Sequence, residues 1–214
     1  MNLFFFHDYN LRKFNRKEEI KDLTSNQLKK IDIGFGLTIP LLDELLDKYS
    51  NKFLLNIEIK FNLKGEKELA KLISSYDINL TFNNIIVSFF HQKPLLDIKL
   101  TNKEISTGFL TTISRINIKT LKKKMQCDII HPYYEITPIR KIPIIQILNK
   151  KLINHYTEKL VRLSQNYGLH INIWTINSTE YLIKVFNLGI FGIITDNVEK
   201  AQSIQKKTLS QKSE

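Results

Sequence analysis

Within residues 54–60 of this chain, apolar and polar residues alternate strictly from Leu55 to Lys60. A period of two residues is typical of a β-strand, in which successive side chains point to opposite faces. Ile57 and Ile59 share one face, and Glu58 and Lys60 share the other. Because both flanks are apolar or β-branched, the pattern predicts an interior strand that carries an acid and a base at its C-terminal end.

The rest of the chain is predicted to alternate between strands and helices. Such alternation is typical of parallel β/α units in which both faces of the sheet are covered or the sheet is closed. Further strands are predicted at Leu3–Phe6, Ile85–Phe89, Ser106–Leu110, Asp128–His131, His170–Ile176 and Gly192–Thr195. Helices are predicted from the N-cap Asp22-Leu23-Thr24 to Leu28, over residues 41–46, and at Glu66–Tyr76, Lys93–Leu100, Ile118–Met125, within Ile144–Tyr167 and at Thr179–Asn187.

Composition indicates one globular domain. The chain has 214 residues, of which 43% are hydrophobic, enough for a large core. We expect the domain to cover residues 1–205 and the polar residues 206–214 to form a disordered tail. The single cysteine, Cys127, excludes an internal disulfide and a zinc site built from thiolates alone. No apolar run reaches the length of a membrane span, so a soluble, cytoplasmic protein without a transmembrane segment is expected.

The charge of the chain is strongly basic, with a formal net charge of +11. Such a balance suits nucleic acid, an anionic membrane surface or a phosphorylated substrate. The lysines are scattered, however, and only Lys122-Lys123-Lys124 forms a tight run. The pattern favours a solvated lysine-rich surface or attraction of an anionic substrate, and it disfavours a nucleic-acid partner.

Polar residues gather where the predicted strands end. His7 and Asp8 follow the first strand, and His91, His131 and Trp174 lie at or just after later ones. In an α/β barrel the active site lies at the C-terminal ends of the strands, so this gathering predicts a site. His91 and His131 are candidates to contact a substrate, or else they are loop residues.

Each main candidate has a second interpretation. Glu58 and Lys60 could form a buried structural ion pair, or a metal-binding carboxylate beside a lysine that holds an anion. His7 could be a capping histidine bonded to Asp8 or a proton-transfer group. Trp174 could be a core aromatic residue or the apolar wall of a pocket.

Six segments in register resemble the glycerophosphodiester phosphodiesterase family. Any one of them would be a weak signal, but together they span nearly the whole chain in the order of the family. The segments are Phe6-His7-Asp8, Ile39–Leu46, Asn56–Lys60, Val87-Ser88-Phe89, Trp174–Asn177 and Gly192–Asp196.

The resemblance implies a (β/α)8 barrel of the triosephosphate-isomerase type and the phospholipase C-like phosphodiesterase kind. It implies metal-dependent hydrolysis of glycerophosphodiesters to sn-glycerol 3-phosphate and an alcohol, in lipid and glycerol metabolism. By the same resemblance His7 and Lys60 are catalytic and Glu58 binds a divalent Mg²⁺ or Ca²⁺. Lys60 also contacts the phosphate of the small-molecule substrate, and Trp174 lines the site of its glycerol backbone.

The chain also departs from the pattern of the family. The His-Arg-Gly, Pro-Glu-Asn-Thr and Glu-x-Asp segments that precede His7 in the family are absent from it, and Lys13 stands where the family has an arginine. We therefore expect an N-terminally truncated barrel that lacks about the first two strands, and an incomplete metal site. The chain is then a fragment of an enzyme, or alternatively an inactive homologue that binds a phosphodiester or a protein partner.

Overall fold

The computed structural model describes residues 3–60, 65–76, 84–112, 117–133 and 157–210. Within these ranges the strands alternate with helices along the chain, as expected for β/α units. The strands are β1 (Leu55–Glu58), β2 (Ile85–Phe89), β3 (Ser106–Thr112), β4 (Ile129–Tyr133), β5 (His170–Ile173) and β6 (Gly192–Ile193).

Helices follow most of these strands. Two short 3-10 turns, at Arg12–Phe14 and Ile20–Asp22, precede the first α-helix. The helices are α1 (Ser25–Leu28), α2 (Leu42–Tyr49), α3 (Glu66–Tyr76), α4 (Gln92–Thr101), α5 (Ile118–Met125), α6 (residues 157–166), α7 (Thr179–Asn187) and α8 (Val198–Ser210).

The chain forms two compact units. The first unit comprises Met1–Phe89 and Leu96–Ser106, and the second comprises Phe90–Leu95 and Thr107–Glu214. The first unit therefore holds β1 and β2, and the second holds most of β3 and all of β4 to β6. That residues 1–205 form a single domain stays a prediction.

The first unit is built on two parallel strands. Strand β1 pairs with β2 in a register that places Glu58 beside Ser88. Every residue of β2 is buried, which is typical of an interior strand of a parallel sheet. Helix α2 buries Leu42 and Leu46, and its N-terminus is closed by the Glu44 carboxylate, which accepts a 2.9 Å hydrogen bond from the backbone N–H of Leu41.

A hairpin follows α1 in the first unit. Its base is held by an apolar cluster that includes the buried residues Leu28, Ile31 and Ile39, with Ile33 packed against it. The backbone N–H of Ile33 donates to the carbonyl of Leu37 at 2.8 Å, and an antiparallel bridge joins residues 32 and 38. The cluster thus fixes the base of the hairpin and sets the direction of its tip.

The second unit is a run of parallel strands, with β3 paired to β4, β4 to β5 and β5 to β6. Two glycines admit large polar side chains between these strands. A Cβ at Gly108 would collide with the imidazole of His131, and a Cβ at Gly192 would come within 2.6 Å of Oδ1 of Asn172. Glycine is needed at both positions because a neighbouring side chain lies over its backbone.

Four predicted elements match the structure residue for residue: α3, β2, α5 and α7. Helix α2 and the short α1 are also found, and Thr24 caps α1 as expected, accepting a hydrogen bond from the backbone N–H of Gln27. Strands β5 and β6 end earlier than expected, at Ile173 and Ile193. Of the helix predicted within residues 144–167, positions 157–166 are helical, and 144–156 lie outside the described residues.

The predicted strand Leu3–Phe6 is wrong. The segment is extended, but only Phe4 forms a bridge, antiparallel to Leu41. Pro40 has no backbone N–H to donate, and helix α2 begins at Leu42, directly after the bridge. The pairing therefore has no room to lengthen into a ladder.

The expected disordered tail is wrong for residues 206–210, because α8 continues to Ser210. Ala201 and Thr208 are buried, and the hydroxyl of Thr208 donates to the carbonyl of Ile204 at 2.9 Å. Burial at helical spacing extends the helix through a sequence that looks polar. Residues 211–214 lie outside the described part of the chain.

Among the described residues, no helix combines the length and the apolar character needed to cross a bilayer.

Candidate active site

A cavity of about 370 Å³ lies in the first unit, at the C-terminal end of β1. Its apolar wall includes the Leu3–Phe6 segment. Its polar wall brings together three residues predicted from the sequence and two neighbours. These are His7, Asp8, Asn56, Glu58 and Lys60.

Glu58 and Lys60 form an ion pair in this cavity. The Lys60 ammonium lies 2.8 Å from the Glu58 carboxylate, and the two side chains are 20% and 29% exposed. The alternation of β1 explains the contact, because residues two apart point to the same face while Ile57 and Ile59 are buried on the other. The pair is formed but still open to solvent, so an anion that enters the cavity can reach the Lys60 ammonium.

His7 stands at the rim of the cavity. Its side chain is 84% exposed, and Nδ1 lies 2.8 Å from a carboxylate oxygen of Asp8. The other Asp8 oxygen accepts a 2.7 Å salt bridge from Lys13. The hydrogen bond from His7, and then that from Lys13, lowers the pKa of the Asp8 carboxyl.

The ionised Asp8 fixes the tautomer of His7. A carboxylate only accepts hydrogen bonds, so Nδ1 of His7 must carry the proton in this contact. Nε2 of the neutral imidazole is then left as an acceptor, and in the protonated imidazole it is a donor. Nε2 is therefore the ring nitrogen of His7 that Asp8 does not hold.

From the sequence, Asp8 was given no role beyond its place at a strand end, and Lys13 and Asn56 were not assigned to the site. Lys13 was noted only as standing in place of an arginine, yet it holds the carboxylate that orients His7. The available signal was a basic residue, Lys13, five positions after Asp8, which could have indicated an ion pair between the two. Asn56 could have been found from the same alternation that identified Glu58 and Lys60.

The remaining histidines lie elsewhere. His91 is exposed, the ring of His170 lies 4.6 Å from that of Phe191, and His155 is outside the described residues.

His131 was expected either to contact substrate or to lie in a loop. It instead lies within β4, fully buried, and neither ring nitrogen has a hydrogen-bond partner among the described residues. Burial lowers the pKa of His131 from 6.5 to about 4.

Acid should destabilise the protein through His131. Its pKa is lower in the folded chain, so the unfolded chain binds the proton more tightly. The stabilising contribution is complete above pH 6.5 and is lost as the pH falls towards about 4, in total about 3 kcal/mol. Urea unfolding of wild type and His131→Leu at both ends of this range measures the effect. Equal acid sensitivity of the two proteins would contradict it.

Trp174 belongs to the second unit and directly follows β5. Its indole N–H donates to the carbonyl of His131 at 2.6 Å. The rings of Tyr133 and Phe90 lie 4.8 Å and 5.7 Å from it, and its side chain is partly exposed. Trp174 was predicted to be either a core aromatic residue or the apolar wall of a pocket. The structure excludes neither, because the side chain is packed against other rings and is also partly exposed. It is not among the residues that line the cavity of the first unit.

The residues of the cavity do not by themselves fit a divalent metal. A hard cation takes about six oxygen ligands. One Glu58 oxygen is engaged by Lys60, and both Asp8 oxygens are engaged by His7 and Lys13. In the described ranges no group of three or more His, Cys, Asp or Glu residues could hold a metal ion.

Comparison with known proteins gives matches over most of the chain. The profile of the glycerophosphoryl diester phosphodiesterase family matches residues 1–200. A glycerophosphodiester phosphodiesterase from Caldanaerobacter subterraneus subsp. tengcongensis is 27% identical over 219 aligned residues, which cover 96% of this chain and 81% of the relative.

Solved structures are also similar. A glycerophosphodiester phosphodiesterase from Parabacteroides distasonis has a TM-score of 0.72 at 13% identity, covering 99% of this chain and 79% of that one. An Oleispira antarctica phosphodiesterase in complex with the product sn-glycerol-3-phosphate has a TM-score of 0.69 at 20% identity, covering 95% and 79%. For a structure from Silicibacter pomeroyi, with a TM-score of 0.59, this chain spans 58% of the length.

These likenesses confirm the predicted α/β fold of the barrel class, while the truncation of that barrel stays a prediction. The alternation of parallel strands and helices in each unit agrees with that fold. The match of the family profile extends over almost the entire sequence. The chain belongs to the glycerophosphoryl diester phosphodiesterase family.

Proposed function

We propose that this chain hydrolyses glycerophosphodiesters to sn-glycerol 3-phosphate and an alcohol. The observation that carries the proposal is the single cavity in which His7, Asp8, Glu58 and Lys60 meet. Membership of the family and the names of its relatives support the same reaction. The complex of the Oleispira antarctica protein with sn-glycerol-3-phosphate supports the substrate class.

His7 is the proton-transfer group in this proposal. Hydrolysis adds water across the bond between phosphorus and the oxygen of the alcohol, so a proton leaves the water and a proton reaches the departing alkoxide. Nε2 of His7 faces away from Asp8 and can exchange a proton with either partner. Asp8 and Lys13 act as positioning residues because they hold the imidazole by its other nitrogen.

In this proposal Lys60 attracts and binds the negatively charged phosphate of the phosphodiester. The ammonium is held in place by Glu58 at 2.8 Å, and its side chain is 20% exposed. Partial removal from water strengthens its interaction with a bound anion. Lys60 thereby binds substrate and stabilises the charge that grows on the phosphoryl oxygens. That Trp174, which lies in the second unit, contacts the substrate stays a prediction from the sequence.

The reaction is tested by release of glycerol 3-phosphate from glycerophosphocholine and from glycerophosphoethanolamine. We expect turnover of at least one of the two that depends on His7 and Lys60. Equal rates for the wild type and for the double variant His7→Ala/Lys60→Ala would overturn the proposal.

Divalent metal binding by this chain should be weak. Glu58 supplies one carboxylate, and Lys60 already neutralises it. We expect Mg²⁺ and Ca²⁺ to bind with dissociation constants of about 10⁻⁴ M or weaker, as in sites with few charged ligands. Isothermal calorimetry measures this directly.

The matched control is Glu68→Gln, which removes an exposed carboxylate from α3. A single site of micromolar affinity that is lost in Glu58→Gln and kept in Glu68→Gln would show that the donor set is more complete than the described residues indicate. Metal dependence of the reaction, a cytoplasmic location and the absence of a nucleic-acid partner stay predictions.

A further inference from the structure

An aromatic side chain stands fully exposed at the tip of the hairpin in the first unit. Phe35 is 105% exposed relative to the reference residue, and Leu37, two residues later, is 61% exposed. A Cβ built on Gly34 or Gly36, on either side of Phe35, would meet no atom within 4 Å. The tip therefore projects into open space, and none of residues 33–38 is among those that line the cavity with His7 and Lys60.

The backbone at this tip is unfavourable for a phenylalanine. Phe35 has a φ of 56°, and the glycines on either side have φ values of 108° and 72°. Glycine adopts positive φ at no steric cost, whereas a bulky residue there is an outlier. Glycine at position 35 would thus suit the fold better, and at 105% exposure the aromatic ring gains no compensating contact with the described part of the chain. Such a residue suggests a role outside the fold.

The hairpin is held rigidly enough to present this ring. The Asp32 carboxylate accepts a 2.7 Å hydrogen bond from the backbone N–H of Gly34, and the Leu37 N–H donates to the Gly34 carbonyl at 3.0 Å. Ile31 and Ile39, at the base, belong to the buried apolar cluster. These bonds leave the backbone of the tip little conformational entropy to lose when Phe35 meets a partner.

The charges that adjoin the hairpin along the sequence are mainly basic. Lys29 and Lys30 precede the hairpin and are exposed, and the only acid between residues 23 and 40 is Asp32, whose carboxylate is already bonded to the turn. The chain as a whole carries a net charge of +11. Exposed apolar residues flanked by lysines complement a surface that is apolar inside and negatively charged outside.

The size of the tip favours a lipid surface over a protein partner. A stable protein interface buries about 800 Å² on each side, whereas a phenylalanine side chain offers about 200 Å². A bilayer interface accepts individual aromatic side chains at the level of the headgroups. We propose that the hairpin tip inserts Phe35 into the interface of an anionic lipid bilayer, with Lys29 and Lys30 against the headgroups.

The proposal is tested by sedimentation of the full chain with vesicles at low salt. The vesicles contain phosphatidylcholine alone or mixed with phosphatidylglycerol. We expect binding to the anionic vesicles, weakened about tenfold or more by Phe35→Ala because its ring no longer leaves water. Replacing Lys29 and Lys30 with glutamine should weaken binding by about thirtyfold. High salt should also weaken it, because ions screen the attraction to the headgroups.

Phe53→Ala is the matched control, since Phe53 is a 58% exposed phenylalanine in the same unit. It should bind vesicles like the wild type. Phe35→Gly should bind as weakly as Phe35→Ala and unfold at the same or a higher temperature, which excludes misfolding as the cause. Absence of wild-type binding to anionic vesicles, or equal binding by Phe35→Ala, overturns the proposal. The proposal is also overturned if the wild type does not bind vesicles but self-associates, and Phe35→Ala abolishes that self-association.

Discussion

Replacing His7 with alanine is expected to lower kcat for glycerophosphodiester hydrolysis by about 10²- to 10⁴-fold, the usual contribution of a general acid or base. The reason is the geometry at the cavity rim. Asp8 holds Nδ1 of His7 at 2.8 Å and leaves Nε2 available for the substrate. No other described residue that lines the cavity carries an imidazole. Release of glycerol 3-phosphate, measured at saturating substrate, gives the change in kcat.

The control for this change is His170→Ala, which removes a histidine that packs on Phe191 in the second unit. It should leave kcat within a few-fold of the wild type. Because His7 is 84% exposed, its removal should not shift the unfolding temperature. Loss of less than tenfold in kcat for His7→Ala would show that protons move by another route.

Lys60→Met is expected to lower kcat/KM by about 10²- to 10³-fold, the range found when one preorganised donor to a developing anion is removed. The variant also leaves Glu58 without its partner, 2.8 Å away in the wild type, so a carboxylate would face the phosphate. Repulsion adds to the lost attraction. Steady-state kinetics with glycerophosphocholine separates kcat from KM.

Two further variants separate the loss of the Lys60 charge from the effect of the unpaired Glu58 carboxylate. Lys60→Arg keeps the charge and should recover part of kcat/KM. The double variant Glu58→Gln/Lys60→Met should be more active than Lys60→Met alone, because it removes the uncompensated carboxylate. A double variant no better than Lys60→Met would show that Glu58 has a role beyond holding Lys60. The unfolding free energy should change by no more than about 1 kcal/mol in Lys60→Met, since partly exposed ion pairs contribute little.

The local sequence pattern was sufficient to predict an element where the buried residues follow the period of one helix or one strand. Helix α3 buries Leu69, Ala70 and Ile73, and β2 is apolar almost throughout, so both were predicted at their observed residues. The meeting of Glu58 with Lys60 was also predictable, because residues two apart on a strand share a face. In these cases the contacts that decide the structure lie within a few positions in the sequence.

Contacts between distant segments could not be predicted in the same way. His131 looked like a residue at the end of a strand, but its burial depends on the missing side chain of Gly108 on the neighbouring strand. The Leu3–Phe6 segment had the composition of a strand, but its partner contains Pro40 and turns into α2. The role of Lys13 depends on the turn that returns it to Asp8.

Trp174 makes the two compact units distinguishable by spectroscopy. It is the only tryptophan in the sequence, and it lies in the second unit with its indole bonded to His131 and flanked by Tyr133. Its emission therefore reports the state of the second unit, whereas far-ultraviolet circular dichroism follows the helices of both. Coincident denaturation curves from the two signals would indicate one cooperative transition, and separate midpoints would assign an intermediate to one half of the chain.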